Sequence, residues 1–413
     1  MSLVSTFALC LTLGWTVYRS VPARAPKLAA IGGALFAGAL PCGLDNMDWA
    51  LLMRVDMLGL WLTFAGLALF ILGRNAAMRY TAFVLFVAAM YTKQTLIAGA
   101  LACLAVAAIL NLRQAIKLLS FTAALGASVM TLLALATHGQ VIRHLFLYNQ
   151  NMFSLRRAIG LIDDSIQRTL PLLALACAGV LIPLADAARA FSQRRLRPLR
   201  ARLLESTYRR AFFTFAIHFL FSGIVSLTVG KAGANSNYLL EWNLSACTLA
   251  GLVLARLIWG WRTKPRVSSV AAVAYLLPLL MMAQQAASAF RFVVPSTSLR
   301  QEYADNVRNS EALLRILRSS QDPVMSENMT LLYKAGKQVP FEPAIITQLA
   351  ATGMWDETPL IDMIDRRAFS VMIIGDVDDQ DRYSPAVARA IKEYYEPGEE
   401  YGQLTVYRPA NRR

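Results

Sequence analysis

Charge is scarce in this chain of 413 residues: Asp, Glu, Lys and Arg together make up 16% of it, and there are three histidines. Soluble globular domains sit nearer a quarter charged. Hydrophobic residues make up 56% and the mean hydropathy is +0.44. That balance excludes an ordinary water-soluble domain over most of the length and points to a polytopic membrane protein. Cysteine is sparse too. Cys10, Cys42, Cys103, Cys177 and Cys247 are odd in number, lie in apolar segments and show no CxxC spacing. This excludes a disulfide framework and a zinc site, and leaves small buried hydrophobes. Residues 1–27 hold no Asp or Glu, and the first cation is Arg19. The stretch Met1–Tyr18 therefore lacks the basic leader of a signal peptide. The tail from about residue 293 carries no GxGxxG, P-loop or HExxH, which argues against dinucleotide, nucleotide and zinc-protease chemistry. No internal repeat or low-complexity segment stands out.

What is present is a series of about ten apolar runs of near-spanning length. They are Leu3–Tyr18, Leu28–Leu44, Met57–Leu72, Tyr80–Met90, Thr95–Leu112, Leu118–Thr137, Leu170–Ala187, Ala211–Val229, Leu239–Trp259 and Val267–Phe290. The formal charge is +15. In a soluble protein it would suggest nucleic acid, but here the cations fall in short loops between runs. Arg19, Arg24 and Lys27 follow the first run, Arg74 and Arg79 the third, Arg113 and Lys117 the fifth. A basic stretch at 194–210 follows the seventh, and Arg262, Lys264 and Arg266 the ninth. By the positive-inside rule these loops are cytoplasmic. The 194–210 stretch reads as a retention signal or lipid-facing surface rather than a binding site. The other loops and the tail are then outside, and so is the N-terminus. Such parity implies a missing odd number of preceding helices or a count wrong by one.

The expected fold class is a polytopic α-helical membrane domain, residues 1–292, followed by a small α/β domain, residues 293–413. In the tail an amphipathic helix is expected over Ser298–Ser320, with short strands at Val324-Met325, Ser370–Gly375 and Gln403–Arg408. Helices are expected over Met329–Lys337, Glu342–Gly353 and Pro385–Tyr395, with stops at Gly336 and Gly353 and a largely parallel sheet.

The polar residues worth weighing collect at the outer ends of the apolar runs. Asp45, Asp48, Arg54 and Asp56 lie in one loop, and Lys93 and Gln94 in the next. His144 follows the sixth run, and Lys231, Asn237, Tyr238 and Glu241 precede and open the ninth. Ionisable residues at such an edge are functional candidates by default, with interfacial anchoring as the plain alternative. Asp45, Asp48, Asp56 and Glu241 offer the oxygen ligands that a hard divalent cation takes. Arg54, Lys93 and Lys231 suit a phosphate. Glu241, just inside a span, needs a partner, for which Lys231 or Arg54 would serve. His218, within Ala211–Val229, reads as a packed histidine hydrogen-bonded between helices.

Arg54-Val55-Asp56-Met57-Leu58, followed by a span and then Tyr91-Thr92-Lys93-Gln94-Thr95, resembles the bacterial GT-C superfamily of integral-membrane glycosyltransferases. The nearest subgroup is the protein-mannosyltransferase and aminoarabinose-transferase-like enzymes. Gly230–Glu241 resembles that group's Gly-rich Asn-x-Asn-Tyr segment. Val324–Glu327, Ala335–Lys337 and Gly353–Asp356 resemble its small periplasmic domain. The resemblance implies a bacterial inner-membrane enzyme that moves a sugar from a polyprenyl-phosphate donor to a periplasmic-side acceptor. Asp56 falls on the family's second acidic position and is the catalytic residue the resemblance implies, orienting the acceptor or binding a metal. With it come Arg54, Lys93, Gln94, Lys231, Asn237, Tyr238 and Glu241 as substrate-binding residues, and Asp45 and Asp48 as ligands of a divalent cation. The family's main acid, in a first outer loop, has no counterpart in residues 1–27. On that ground the chain is expected to lack an N-terminal part and to be inert without it. Two other classes compete. A flippase for a lipid-linked saccharide would place charges at mid-membrane on broken helices. A non-catalytic scaffold would offer an apolar patch on its tail.

Overall fold

The computed structural model describes residues 2–43, 46–52, 54–148, 152–192, 196–263, 280 and 297–410. The expected tenth span, Val267–Phe290, lies outside these except for Leu280. Two compact units emerge, Met1–Arg143 with Phe153–Phe290, and His144–Met152 with Arg291–Arg413.

The first unit is helical: α1 (Ser2–Ser20), α2 (Lys27–Ala39), α3 (Asn46–Leu51), α4 (Asp56–Leu72), α5 (Ala76–Thr92), α6 (Ala98–Leu110), α7 (Leu112–Ala136), the single turn α8 (Gln140–Ile142), α9 (Leu155–Ser192), α10 (Leu196–Glu205), α11 (Thr207–Ser226) and α12 (Leu240–Thr263). Four stretches are long and apolar enough to cross a membrane: Leu112–Ala136, Leu155–Ala185, Thr207–Gly230 and Leu240–Gly260. Helices α2, α4, α5 and α6 are apolar but shorter. The expected count of ten spans is thus not reached among the described residues. One reason is visible at Pro41, which has no N–H for a helix to use. There α2 gives way to a 3-10 turn over Leu40–Gly43, although the apolar letters run on to Leu44.

α7 carries the membrane reading furthest. Its 25 residues span about 37 Å at 1.5 Å each. Only 6% of its apolar window is buried within the protein. A helix apolar all round yet unburied needs an apolar solvent. α9 corrects a second expectation. The gap between the apolar runs ending at Thr137 and starting at Leu170 predicts an outer loop over residues 138–169, yet the helix already begins at Leu155. Arg156, Arg157, Asp163, Asp164 and Arg168 in its first half hid the helical period, and Arg168 pairs with Asp164 one turn back.

Small residues let these helices pack closely. A Cβ at Gly33 of α2 would lie 2.6 Å from the Gly251 carbonyl of α12, and one at Gly251 would lie 2.7 Å from that of Gly33. α4 runs from the Asp56 end of the bundle to the other end, where Arg210 at the start of α11 donates from Nε and Nη2 to the Ile71 carbonyl at 2.9 and 2.6 Å. Arg210, at the edge of the basic 194–210 stretch, therefore caps a helix C-terminus rather than facing lipid.

The second unit holds α13 (Thr297–Ser319), β1 (Val324–Ser326), α14 (Met329–Ala335), α15 (Pro343–Ala351), α16 (Thr358–Asp365), β2 (Val371–Ile374), α17 (Pro385–Tyr394), β3 (Tyr395–Tyr401) and β4 (Leu404–Pro409). The strand order is β1-β2-β4-β3. Only β1 and β2 pair in parallel; the β2–β4 and β3–β4 pairs are antiparallel. The expected largely parallel sheet is thus corrected. Tyr401 pairs with Leu404 across a two-residue turn whose Gly402 sits at φ +67°, and a tight hairpin forces its strands antiparallel. β2 is buried on both faces. Val371 and Ile373 face α13 and α14, while Met372 and Ile374 face α16 and α17. This is the strand period of two with helices on each side.

Candidate functional site

At the start of α4, Asp56 is 2% exposed. Its Oδ1 accepts from Lys93 Nζ at 2.7 Å and from Asn237 Nδ2 at 2.9 Å, and its Oδ2 accepts from Arg54 Nε at 3.0 Å. Lys93 arrives because α5 ends at Thr92, beside the α4 start. Close approach of the two helices is allowed by Gly59, where a Cβ would overlap the Thr92 hydroxyl and Leu96. Asn237 arrives from the short 3-10 turn Ser236–Tyr238 that leads into α12. Lys93 Nζ also donates to the Asn237 carbonyl at 3.3 Å and sits 4.2 Å from the centre of the Tyr238 ring. The Arg54 guanidinium lies 5.1 Å from the Trp49 ring, whose Nε1 donates to Ser236 Oγ at 3.0 Å. Cation–π contacts hold a charge in place without neutralising it.

Glu241 faces the same small cavity as Asp56 and Lys93, but its partner is His218, not Lys231 or Arg54. His218 Nε2 lies 2.9 Å from Glu241 Oε1, and Nδ1 lies 3.1 Å from Ser245 Oγ. All three are buried. Glu241 and Ser245 are four apart on α12 and so share the face that meets α11. The cavity shared by Asp56, Lys93, Asn237, Tyr238 and Glu241 measures about 10 Å³, near the minimum for a single water.

Among the cations the burdens differ. The Arg54 side chain is 52% exposed, and beyond its bond to Asp56 no hydrogen bond engages its terminal nitrogens among the described residues. Lys93 lies one residue past α5 with its side chain only 16% exposed. Burial pushes its ammonium below the ordinary lysine value, against the pull of Asp56 in the other direction. Burial, and then the Asp56 charge, push the Tyr238 phenol up.

The structure therefore brings together Arg54, Asp56, Lys93, Asn237, Tyr238 and Glu241. It does not bring Lys231 into this cluster; Lys231 takes part in a backbone bridge to Phe153. Gln94 is exposed and does not line the cavity. Asp45 lies outside the described residues, and Asp48 lies on α3. Among the described residues no group of three or more His, Cys, Asp or Glu side chains is placed to hold a metal. Trp49 and Ser236 were not singled out from the sequence. An aromatic and a hydroxyl in separate loops carry no spacing that links them.

No protein-family model, curated protein or solved structure matches the chain. Fold and site define a class in physical terms. It is a mostly helical protein, with four helices among the described residues fit to cross a membrane and a small C-terminal sheet region. A buried carboxylate gathers two cations at one end of its helical unit.

Proposed function

We propose that this chain is a membrane glycosyltransferase, or the donor-binding part of one. It takes a polyprenyl-phosphate-linked sugar at the Asp56 end of the helices and passes the sugar to an acceptor on that side. The carrying observation is Arg54: a half-exposed guanidinium at the mouth of apolar helices, aimed by Asp56 and set against Trp49, with no hydrogen bond to its terminal nitrogens among the described residues. Planar guanidinium donors match a phosphate's oxygens. In transfer, the acceptor oxygen bonds to the anomeric carbon as the carbon–oxygen bond to phosphate breaks. The electron pair leaves on the phosphate, where Arg54, backed by Lys93, stabilises it, and the acceptor hydroxyl's proton passes to a departing phosphate oxygen or to water.

Asp56 is a positioning residue in this reading. Its Oδ1 accepts two hydrogen bonds and its Oδ2 accepts one, so it is poorly placed to take the acceptor's proton. The closed cavity beside it leaves the sugar above the cluster rather than inside it. The donor's apolar tail lies along the helices, and the site faces the outer side of a bacterial inner membrane. A flippase for the same lipid is the second reading, favoured by the buried His218–Glu241 pair inside the bundle.

The test uses the full chain in lipid nanodiscs with a radiolabelled polyprenyl-phosphate sugar. Donor retention and sugar release are read in parallel. Arg54→Ala is expected to lower retention about tenfold, the scale of one hydrogen bond to a charged group. Unchanged retention overturns the reading. In proteoliposomes, label that crosses the bilayer with its sugar–phosphate bond intact favours the flippase.

A further inference from the structure

A large cavity lies at the other end of the helical unit, where α1 and α10 end and α2 and α11 begin. Its volume is about 820 Å³, within the range of small-molecule sites. Arg19, Arg24, Lys27, Arg202 and Arg209 line it, with Glu205 as its one carboxylate. Arg19, Arg24, Lys27 and Arg209 pair with no carboxylate among the described residues. Two helix starts and two helix ends meet here, so the backbone dipoles oppose one another and the side chains set the sign.

Loop cations that only orient a membrane protein need no common cavity. These converge on one, and aromatic rings hold two of them. The Arg19 guanidinium lies 5.2 Å from the Trp15 ring centre, and that of Arg24 lies 5.6 Å from Trp259. Trp15 and Tyr18 are exposed and stacked with centroids 6.1 Å apart, as aromatic side chains sit at headgroup level.

A second cavity, about 470 Å³, shares Arg202, Tyr208 and Arg209 with the first. Its other walls are mainly apolar, including Leu199, Leu203, Phe212 and Phe213, with Arg256 beside them. A cationic chamber and an apolar cleft thus adjoin along one wall. That is the shape of an amphiphile with an anionic head.

We propose that this paired cavity is a binding site for a phosphate-headed lipid, with the phosphate among Arg19, Arg24, Lys27 and Arg209 and the hydrocarbon chain between α9, α10 and α11. It is independent of the Asp56 end and stands if that reading fails.

The test again uses the full chain, in phosphatidylcholine nanodiscs containing phosphatidic acid. Retained lipid is counted by native mass spectrometry, and inorganic phosphate serves as soluble competitor. The Arg54→Ala background is run alongside so that lipid held at the opposite end is not counted. Wild type is expected to retain phosphatidic acid over phosphatidylcholine. Combined Arg19→Gln, Arg24→Gln and Arg209→Gln is expected to cut that preference about a hundredfold, at about fivefold per cation near a membrane surface. Glu205→Gln, which removes the opposing carboxylate, is expected to raise retention, a gain that misfolding does not mimic. Ala185→Trp narrows the cleft and is expected to lower retention, while Arg308→Gln in the C-terminal unit changes nothing. Retention unchanged in the triple variant overturns the site. Inorganic phosphate that displaces the lipid at equal concentration, or no effect of Ala185→Trp, overturns its assignment to a lipid.

Discussion

Both ends of the helical unit gather Arg and Lys, and they treat the charge in opposite ways. At the Asp56 end one buried carboxylate binds Lys93 and Arg54, and the cavity beside Asp56 and Lys93 barely admits a water. At the other end Arg19, Arg24, Lys27 and Arg209 stand around a chamber of about 820 Å³ with little opposing charge. The same residue types are paired with a buried carboxylate in one place and face Glu205 across open space in the other. What separates them is a carboxylate at the right height. α4 begins on Asp56, whereas no Asp or Glu occurs in α1, α2 or the loop between them.

The sharpest way to break this contrast is to remove the carboxylate. Asp56→Ala leaves the buried Lys93 without its counter-ion, and stranding one partner of a buried pair costs about 3–5 kcal/mol. The unfolding midpoint in detergent should fall clearly. Arg19→Gln at the open end should leave it within about 0.5 kcal/mol, as surface changes do. Equal effects at both ends would erase the distinction. His218→Ala comes next, because it leaves Glu241 buried and unpaired at a cost of about 1–3 kcal/mol. Thermal unfolding of that variant beside Glu241→Gln would show whether the two act as one unit. Arg54→Ala should cost at most about 1 kcal/mol in stability, since its side chain is half exposed and water screens the pair. In the proposed function its larger effect is on donor retention.

The smallest effect is in the pH dependence. Burial lowers the Lys93 value below 10.5, so between its folded value and 10.5 the native protein holds fewer protons than the unfolded chain. Stability therefore gains from this group as pH rises through that window, and the penalty of burying the ammonium is present below it. Lys93→Met should flatten that rise in an alkaline unfolding series. In the same window phosphate affinity at the Asp56 end should weaken, because the ammonium is being lost.

Much of this was legible in the chain. Hydropathy marked most of the helices, and residues 370–375 announced a buried strand by an unbroken β-branched and apolar run. Asp56 with Arg54 and Lys93 stood out because charge at the edge of an apolar run is costly. What escaped has physical reasons. The first half of α9 is amphipathic and charged, so a hydropathy reading took it for loop. β3 is an edge strand carrying Pro397, Gly398 and three glutamates, the negative signals that protect edges from aggregation. The His218–Glu241 pair joins two helices across 23 residues of sequence, and no local period connects them. The open basic cavity is a property of where four helix ends meet. In the sequence its cations look the same as those that set topology.

In the proposed function Arg54, aimed by Asp56 and backed by Lys93, receives the phosphate of a polyprenyl-linked donor. The most direct measurement is photolabelling of the full chain in nanodiscs with a polyprenyl-phosphate sugar bearing a photoreactive group beside the phosphate. Labelled peptides are then mapped by mass spectrometry. Label is expected on the segments holding Trp49 and Tyr238, and it should fall about tenfold in Arg54→Ala, as for one lost charge-assisted hydrogen bond. Label absent from those segments, or undiminished in the variant, contradicts the claim.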